Sequence, residues 1–269
     1  MIKESTKVLD HGYVKYIDHM GSDEAIIEAA RMSTDGSFKN WKRDQVLLAY
    51  LYEHQHMTPF ECGGELIVEV QVPLFVAREW HRHRTQSYNE LSARYTQMPN
   101  IHYLPVLNRF QKQCKQNLQG SAGTLDNNTS KYMRNELLLQ QQNIYSTYDN
   151  HLEQGLAREI ARINTPVSRY TRFRAKTDLR NWLGFLKLRM APNAQYEIRC
   201  YAWTIADIIK ELWPRTYKLF EEHDLYGHHL SRSQVMELMR AAILPSRPID
   251  KHFLKFIGLD KWEEFEDPR

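Results

Sequence analysis

The chain has 269 residues, 42% of them hydrophobic and 26% charged, with a formal net charge of +3. That length can bury a sizeable core in one large domain, and so small a positive excess does not by itself argue for a nucleic-acid or membrane-surface partner. Three widely spaced cysteines, Cys62, Cys114 and Cys200, argue against a disulfide framework. With no apolar leader and no apolar run of membrane-spanning length, a cytoplasmic protein is expected.

Val8 to Met20 alternates loosely and predicts a strand or hairpin around Gly12. Ser22 is a good N-cap for a helix with Asp23 and Glu24 in its first turn, Ile26, Ile27, Ala29 and Ala30 buried, and an end near Ser33. Asn40 to His54 predicts a second helix. His54 to Glu61 reads as a loop, because Pro59 forces an extended residue before it; an isolated His-x-His pair is too weak to assign a metal there. Leu66 to Val72 reads as a half-buried strand. Pro73 is expected at the first position of a helix, in which Leu74, Phe75, Ala77 and Trp80 lead into Arg82.

Residues Arg82 to Tyr95, RHRTQSYNELSARY, are the densest in chemistry. Arg82, His83, Arg84 and Arg94 stand with Ser87, Asn89, Glu90 and Ser92, and there is no lysine. The planar fork of arginine grips two oxygens at once, so the stretch predicts one polyanion site or two adjacent ones on a stiff apolar support. The plain alternative is an Arg-rich helix end on the surface.

Residues 97 to 130 are polar and read as a loop able to order over a site. Lys131 to Glu153 predicts a long helix stopped by Gly155. Leu156 to Ile163 predicts a short helix with Arg158 and Arg162 on one face and Glu159 placed to orient an arginine. After Pro166, an extended segment is expected to put Arg169, Arg172, Arg174 and Lys176 on one face as a basic stripe. Asp178 looks like the N-cap of a helix from Leu179 to Leu188, and Asn193 like the start of another to Leu212. Arg189, between two apolar helices, needs a partner, and a cofactor or substrate could be that partner. Ser233 to Ile243 predicts one more helix, followed by Pro245, Pro248 and an aromatic tail with Phe253, Phe256 and Trp262. There is no Gly-rich dinucleotide fingerprint and no internal repeat. The expected fold is α+β, a small mixed sheet flanked by several helices, in a single domain with a C-terminal extension.

The run Arg82-His83-Arg84, seven residues, then Ser92 resembles the signature of the flavin-dependent (alternative) thymidylate synthases. Four more motifs follow that family's order and rough spacing over residues 7 to 223: AARMS (Ala29 to Ser33), HMTPFE (His56 to Glu61), AREIAR (Ala157 to Arg162) and LKLR (Leu186 to Arg189). The resemblance implies a family domain over 1–223, leaving 224–269 as an extension without an assigned role. It implies a homotetramer with active sites at subunit contacts. The implied reaction is reductive methylation of dUMP to dTMP, with methylenetetrahydrofolate giving the carbon, reduced FAD the hydride, and NADPH reducing the flavin.

By the same resemblance, Ser33, His56, Thr58, Arg82, His83, Arg84, Glu90, Asp178, Leu179, Arg180 and Gly184 bind the flavin. Glu79, Arg82, Glu90, Leu91, Ser92, Ala93, Arg94, Arg162 and Arg189 bind dUMP. Arg189 is also the catalytic residue, stabilising negative charge when uracil N3 loses its proton. Four positions depart from the usual pattern: Glu79 stands where glutamine is common, Asp178 and Gly184 where asparagine is, and Asn193 where histidine is. Other thymidylate synthases attack C6 of dUMP with a cysteine thiolate. Here no cysteine lies in the signature, and catalysis without one is expected. Cys62 is the nearest candidate, and the commoner role for such a free cysteine is a small buried apolar residue. Two alternatives stay open: a nucleic-acid-binding module using the arginine stripe, and a related flavoenzyme that leaves a 5-hydroxymethyl group on the nucleotide. No metal, nucleic-acid or membrane partner is expected.

Overall fold

Period-two burial organises the molecule. In the segment Gly64–Pro73, Leu66, Val68, Val70 and Val72 are all buried, while the residues between them turn to the other face. The computed structural model describes residues 4–115, 119–227, 229–243 and 267–268. In chain order the strands and helices are β1 (Ser5–Val8), β2 (Gly12–Gly21), α1 (Asp23–Arg31), α2 (Trp41–Glu53), α3 (Thr58–Cys62), β3 (Gly64–Pro73), α4 (Leu74–Trp80), β4 (Ser87–Glu90), β5 (Gln111–Gln113), β6 (Ser121–Thr124), α5 (Asn127–Glu153), α6 (Arg158–Ala161), β7 (Tyr170–Asp178), α7 (Leu179–Arg189), α8 (Tyr196–Leu212), α9 (Pro214–Phe220) and α10 (Arg232–Ile243).

The α+β class is as expected, but the sheet is not mixed. Its order is β1-β2-β3-β7-β4, and every neighbouring pair is antiparallel. The cause is the insertion of β7. The β3-α4-β4 unit returns β4 in the direction of β3, two places away, and β7 fills the gap running the other way. One face carries the core. Trp182, Phe185 and Leu186 of α7 and Ile198, Tyr201 and Ile205 of α8 close on Val68, Val70, Phe173, Ala175 and Trp80. Each large apolar side chain buried here contributes about 1.5–3 kcal/mol.

The expected basic stripe is corrected by strand parity. Arg169 is three residues before Arg172, so it falls on the other face and is 1% exposed, whereas Arg172, Arg174 and Lys176 are exposed. Two of those three are paired across the sheet, Arg174 with Glu69 at 3.5 Å and Lys176 with Glu65 at 2.9 Å.

Smaller differences have local causes. The first hairpin turns at residues 9–11, and Gly12 already lies in β2; a Cβ there would sit 2.0 Å from the Tyr201 hydroxyl, so the close approach requires glycine. The predicted loop at 54–61 gives way to α3 from Thr58. Pro59 fits the first turn of a helix, where its missing N–H is not needed. Pro73 ends β3 as the extended residue before α4 instead of opening that helix. The polar stretch 97–130 contains the β5–β6 hairpin, and α5 begins at Asn127 because Asp126 accepts from Asn128 N and Thr129 N. Helix α8 starts at Tyr196, three residues after Asn193. Pro245, Pro248 and the aromatic tail lie outside the described residues. Among the described residues, no helix is long and apolar enough to cross a membrane.

Candidate active site

The signature is held by its neighbours on both sides. Trp80 at the end of α4 donates its Nε1–H to Gln86 Oε1 at 3.0 Å, and Tyr88 Oη donates to the His83 carbonyl at 2.8 Å. Thr177 Oγ1 donates to the Thr85 carbonyl at 3.1 Å, tying the turn to the end of β7. On this fixed turn Arg82 and Arg84 are exposed.

His83 points inward. Its ring packs against Phe185 with centroids 4.8 Å apart, and its Nε2 accepts from Arg189 Nε at 2.9 Å. Burial, and then the adjacent Arg189 charge, lower its pKa to about 4, so it is a neutral acceptor at ordinary pH. Arg189, the last residue of α7, also donates Nη1 to Glu79 Oε1 at 2.5 Å and Nη2 to the Glu79 carbonyl at 3.2 Å. Three contacts fix the guanidinium in place. Burial pushes the Glu79 carboxyl above the usual range, with the Arg189 charge opposing and Glu197 adding to the rise. Its Oε2 is buried and without a hydrogen-bond partner among the described residues.

A cavity of about 680 Å³ opens beyond the end of β4. Glu90, Leu91, Ser92 and Ala93 of the signature form one wall, and Glu159, Arg162, Ile163 and Thr165 form another; Leu74, Met98, Arg169 and Thr171 complete it. Two motifs far apart in the chain thus meet around a volume suited to a nucleotide. Glu90 Oε1 accepts from Thr171 Oγ1 at 2.6 Å. Arg94 is exposed with its Nε 3.6 Å from Glu159 Oε2, an ion pair between two exposed side chains at the rim. Glu79, Arg82 and Arg189 are not among the cavity walls. The expected substrate residues are therefore divided within one chain: Glu90 to Arg94 and Arg162 gather at the cavity, Glu79 and Arg189 are tied to each other away from its walls, and Arg82 stands exposed on the signature turn.

The expected flavin residues are largely on the surface. Ser33, His56, Thr58, Arg180 and Gly184 are exposed. Arg180 pairs with Glu61 of α3 at 2.8 Å, which joins the start of α7 to the HMTPFE segment. Asp178 accepts from Asn181 N at 2.9 Å as the N-cap of α7. Leu179 is wholly buried, backbone included, so this chain alone does not offer it to a ligand. The Ser33 hydroxyl donates to the Ala30 carbonyl at 2.9 Å, inside its own helix end. Reasoning from sequence passed over Arg169, Thr171 and Glu159 as cavity walls. The usable signal was the odd-numbered alternation of 169, 171, 173 and 175, which puts a charge in line with core residues.

Cys62 is exposed, not buried, Cys114 is half-buried, and Cys200 is buried. Burial pushes the Cys200 thiol up to about 11, the wrong direction for a thiolate nucleophile. Among the described residues, no group of three His, Cys, Asp or Glu side chains could hold a metal ion.

Residues 15–215 match the family model described as thymidylate synthase complementing protein. The chain belongs to this family, the flavin-dependent thymidylate synthases. It is 45% identical over 243 residues to the flavin-dependent thymidylate synthase of Wolbachia pipientis wMel, covering 90% of this chain and 85% of that protein. Against the protein of the same name from Thermus thermophilus the identity is 44% over 234 residues, covering 86% and 83%. Among solved structures, the UMP/dUMP methylase PolB from Streptomyces cacaoi, bound with 5-Br dUMP, superposes with a TM-score of 0.72 at 28% identity, covering 80% of this chain and 97% of that one.

Proposed function

We propose that the chain is a thymidylate synthase that converts dUMP to dTMP, with methylenetetrahydrofolate as carbon donor, FAD as hydride carrier and NADPH as its reductant. The observation that carries this reading is the cavity in which Glu90 to Ala93 and Arg162 meet. Arg162 and Ser92 grip the nucleotide phosphate, with Arg94 at the rim and the backbone of Leu91 and Ala93 beside it. Arg189 is the fixed cation at the uracil edge, stabilising the charge that develops when N3 gives up its proton. It acts without reorganising, because Glu79 and His83 already hold it.

The exposed guanidiniums of Arg82 and Arg84 fit a diphosphate, and the surface around Ser33, His56, Thr58, Asp178, Arg180 and Gly184 holds the rest of FAD, with His83 and Glu90 on its inner side and the buried Leu179 beneath it. When bound and reduced, FAD supplies the hydride. Because Arg189 does not line its own chain's cavity, a homotetramer in which neighbouring chains complete each site suits the two groups of residues. Residues 1–223 form the catalytic domain, and 224–269 an extension. The cellular setting in this reading is cytoplasmic, without nucleic-acid or membrane partners. Cross-strand pairing of Arg174 and Lys176 leaves little of the stripe that nucleic-acid binding would use.

The deciding experiment is mass spectrometry of the nucleotide formed by purified protein with FAD, NADPH, methylenetetrahydrofolate and dUMP. A 5-methyl product is expected. A 5-hydroxymethyl product would replace this reading with the related flavoenzyme, and a protein that retains no flavin would overturn both.

A further inference from the structure

We propose that Arg169 is a second phosphate-binding cation of the cavity, acting beside Arg162 on the 5′-phosphate of a nucleoside monophosphate. The inference rests on the nucleotide reading of the cavity and adds an anchor that neither the signature nor the family resemblance marks.

Arg169 lines the cavity yet is only 1% exposed. Its Nε and Nη2 are buried without a hydrogen-bond partner among the described residues, while the guanidinium as a whole has the Tyr148 hydroxyl as a hydrogen-bonding neighbour. The side chain rests over the Tyr148 ring, 4.8 Å from its centroid. The backbone is held on both sides: its N–H donates to the Pro166 carbonyl at 3.0 Å, and its carbonyl accepts from Leu74 N at 2.9 Å. A buried guanidinium with unfilled donors is costly unless an anion completes it. The carboxylates of the cavity do not do so, since Glu90 is engaged by Thr171 and Glu159 faces Arg94. Two arginines from one short stretch, Arg162 and Arg169, thus both line the cavity. A phosphate dianion has the charge and the oxygen count to satisfy both, and the arginine fork matches its geometry.

The test is titration of the FAD-loaded protein with dUMP, deoxyuridine and inorganic phosphate, for the parent, Arg169→Gln, Arg169→Lys and Arg162→Gln. Arg169→Gln should weaken dUMP by about 10- to 100-fold and inorganic phosphate in parallel, leave deoxyuridine unchanged, and be partly rescued in Arg169→Lys. Tight dUMP binding in Arg169→Gln, with the loss confined to Arg162→Gln, would overturn the Arg169 assignment and leave the cavity as the nucleotide site. Unchanged dUMP binding in both variants would remove the nucleotide reading of the cavity itself, and the proposal with it. Equal weakening of dUMP and deoxyuridine would make Arg169 structural and overturn the proposal. Should Arg169→Gln fail to fold, a crystal structure of the parent with dUMP decides: a phosphate oxygen within about 3.2 Å of Arg169 supports the assignment, and a phosphate held elsewhere overturns it.

Discussion

Between pH 6.5 and 4 the folded and unfolded chains differ in how they hold the His83 proton. Burial and the Arg189 charge bring its folded pKa down from 6.5 to about 4. In that window the unfolded chain binds the proton and the folded chain does not, so acid draws the equilibrium toward unfolding. The stabilising contribution is complete above about pH 6.5 and is lost as pH falls toward 4. Allowing for the ring's partial exposure, the loss is about 1–2 kcal/mol. Denaturant titrations at pH 7 and pH 4 should therefore show the parent losing about that much more stability than His83→Gln, which cannot titrate. Equal losses would place the acid-labile group elsewhere. A second residue-scale expectation concerns the thiols. With Cys200 buried and pushed up to about 11, a Cys62→Ser, Cys114→Ser, Cys200→Ala variant should form dTMP within about tenfold of the parent, a barrier change of about 1.4 kcal/mol. A thousandfold loss in a variant that folds and binds FAD would put the nucleophile back on a cysteine. At this scale the signature was legible because arginine, serine and glutamate cluster without lysine. Arg169 was not, because a three-residue step from Arg172 looks regular until strand parity is counted.

Among the elements, α7 shows both what local sequence dictates and what it leaves open. Asp178 was readable as its N-cap, and the cap is made, with Asn181 N donating at 2.9 Å. Gly184, in the middle of the same helix, faces open space, with no atom within 4 Å of a Cβ built there. Glycine in a helix interior costs about 0.5–1 kcal/mol relative to alanine. Gly184→Ala should thus raise the stability of the FAD-free protein by that amount, a shift of about 1–4 °C in Tm by calorimetry. An unchanged or lower Tm would show that glycine is needed there for a contact the isolated chain does not make. The long helices were visible in their apolar spacing, to within a few residues at their ends. The short elements α3, β4, β5 and β6 were not, since three to five residues carry too little periodicity to declare themselves. Strand β4 forms because β7 offers it a free edge, with Ser87 opposite Lys176 and Glu90 opposite Phe173. That is a tertiary cause invisible to local pattern.

For the whole molecule, the separation of the proposed substrate residues into two groups makes a demand on assembly. The cavity holds Ser92 and Arg162 but not Arg189, which is tied to Glu79 and His83 at the end of α7. If one chain supplies the cavity and its neighbour supplies Arg189, two inactive variants can rescue one another. Arg162→Ala lacks the phosphate grip but keeps a sound Arg189, and Arg189→Ala has the converse defect. In a mixed pair, one site joins both defects, and the other joins an intact cavity to an intact Arg189. Random association makes about half of the pairs mixed, so co-expression should restore about a quarter of the parent's activity from chains that are each nearly inactive alone. The two chains carry different affinity tags, and native mass spectrometry confirms that mixed oligomers are present in the sample assayed. Activity no greater than the sum of the two separate variants, in a sample proven mixed, would place both arginines in the same chain's site and refute the shared arrangement.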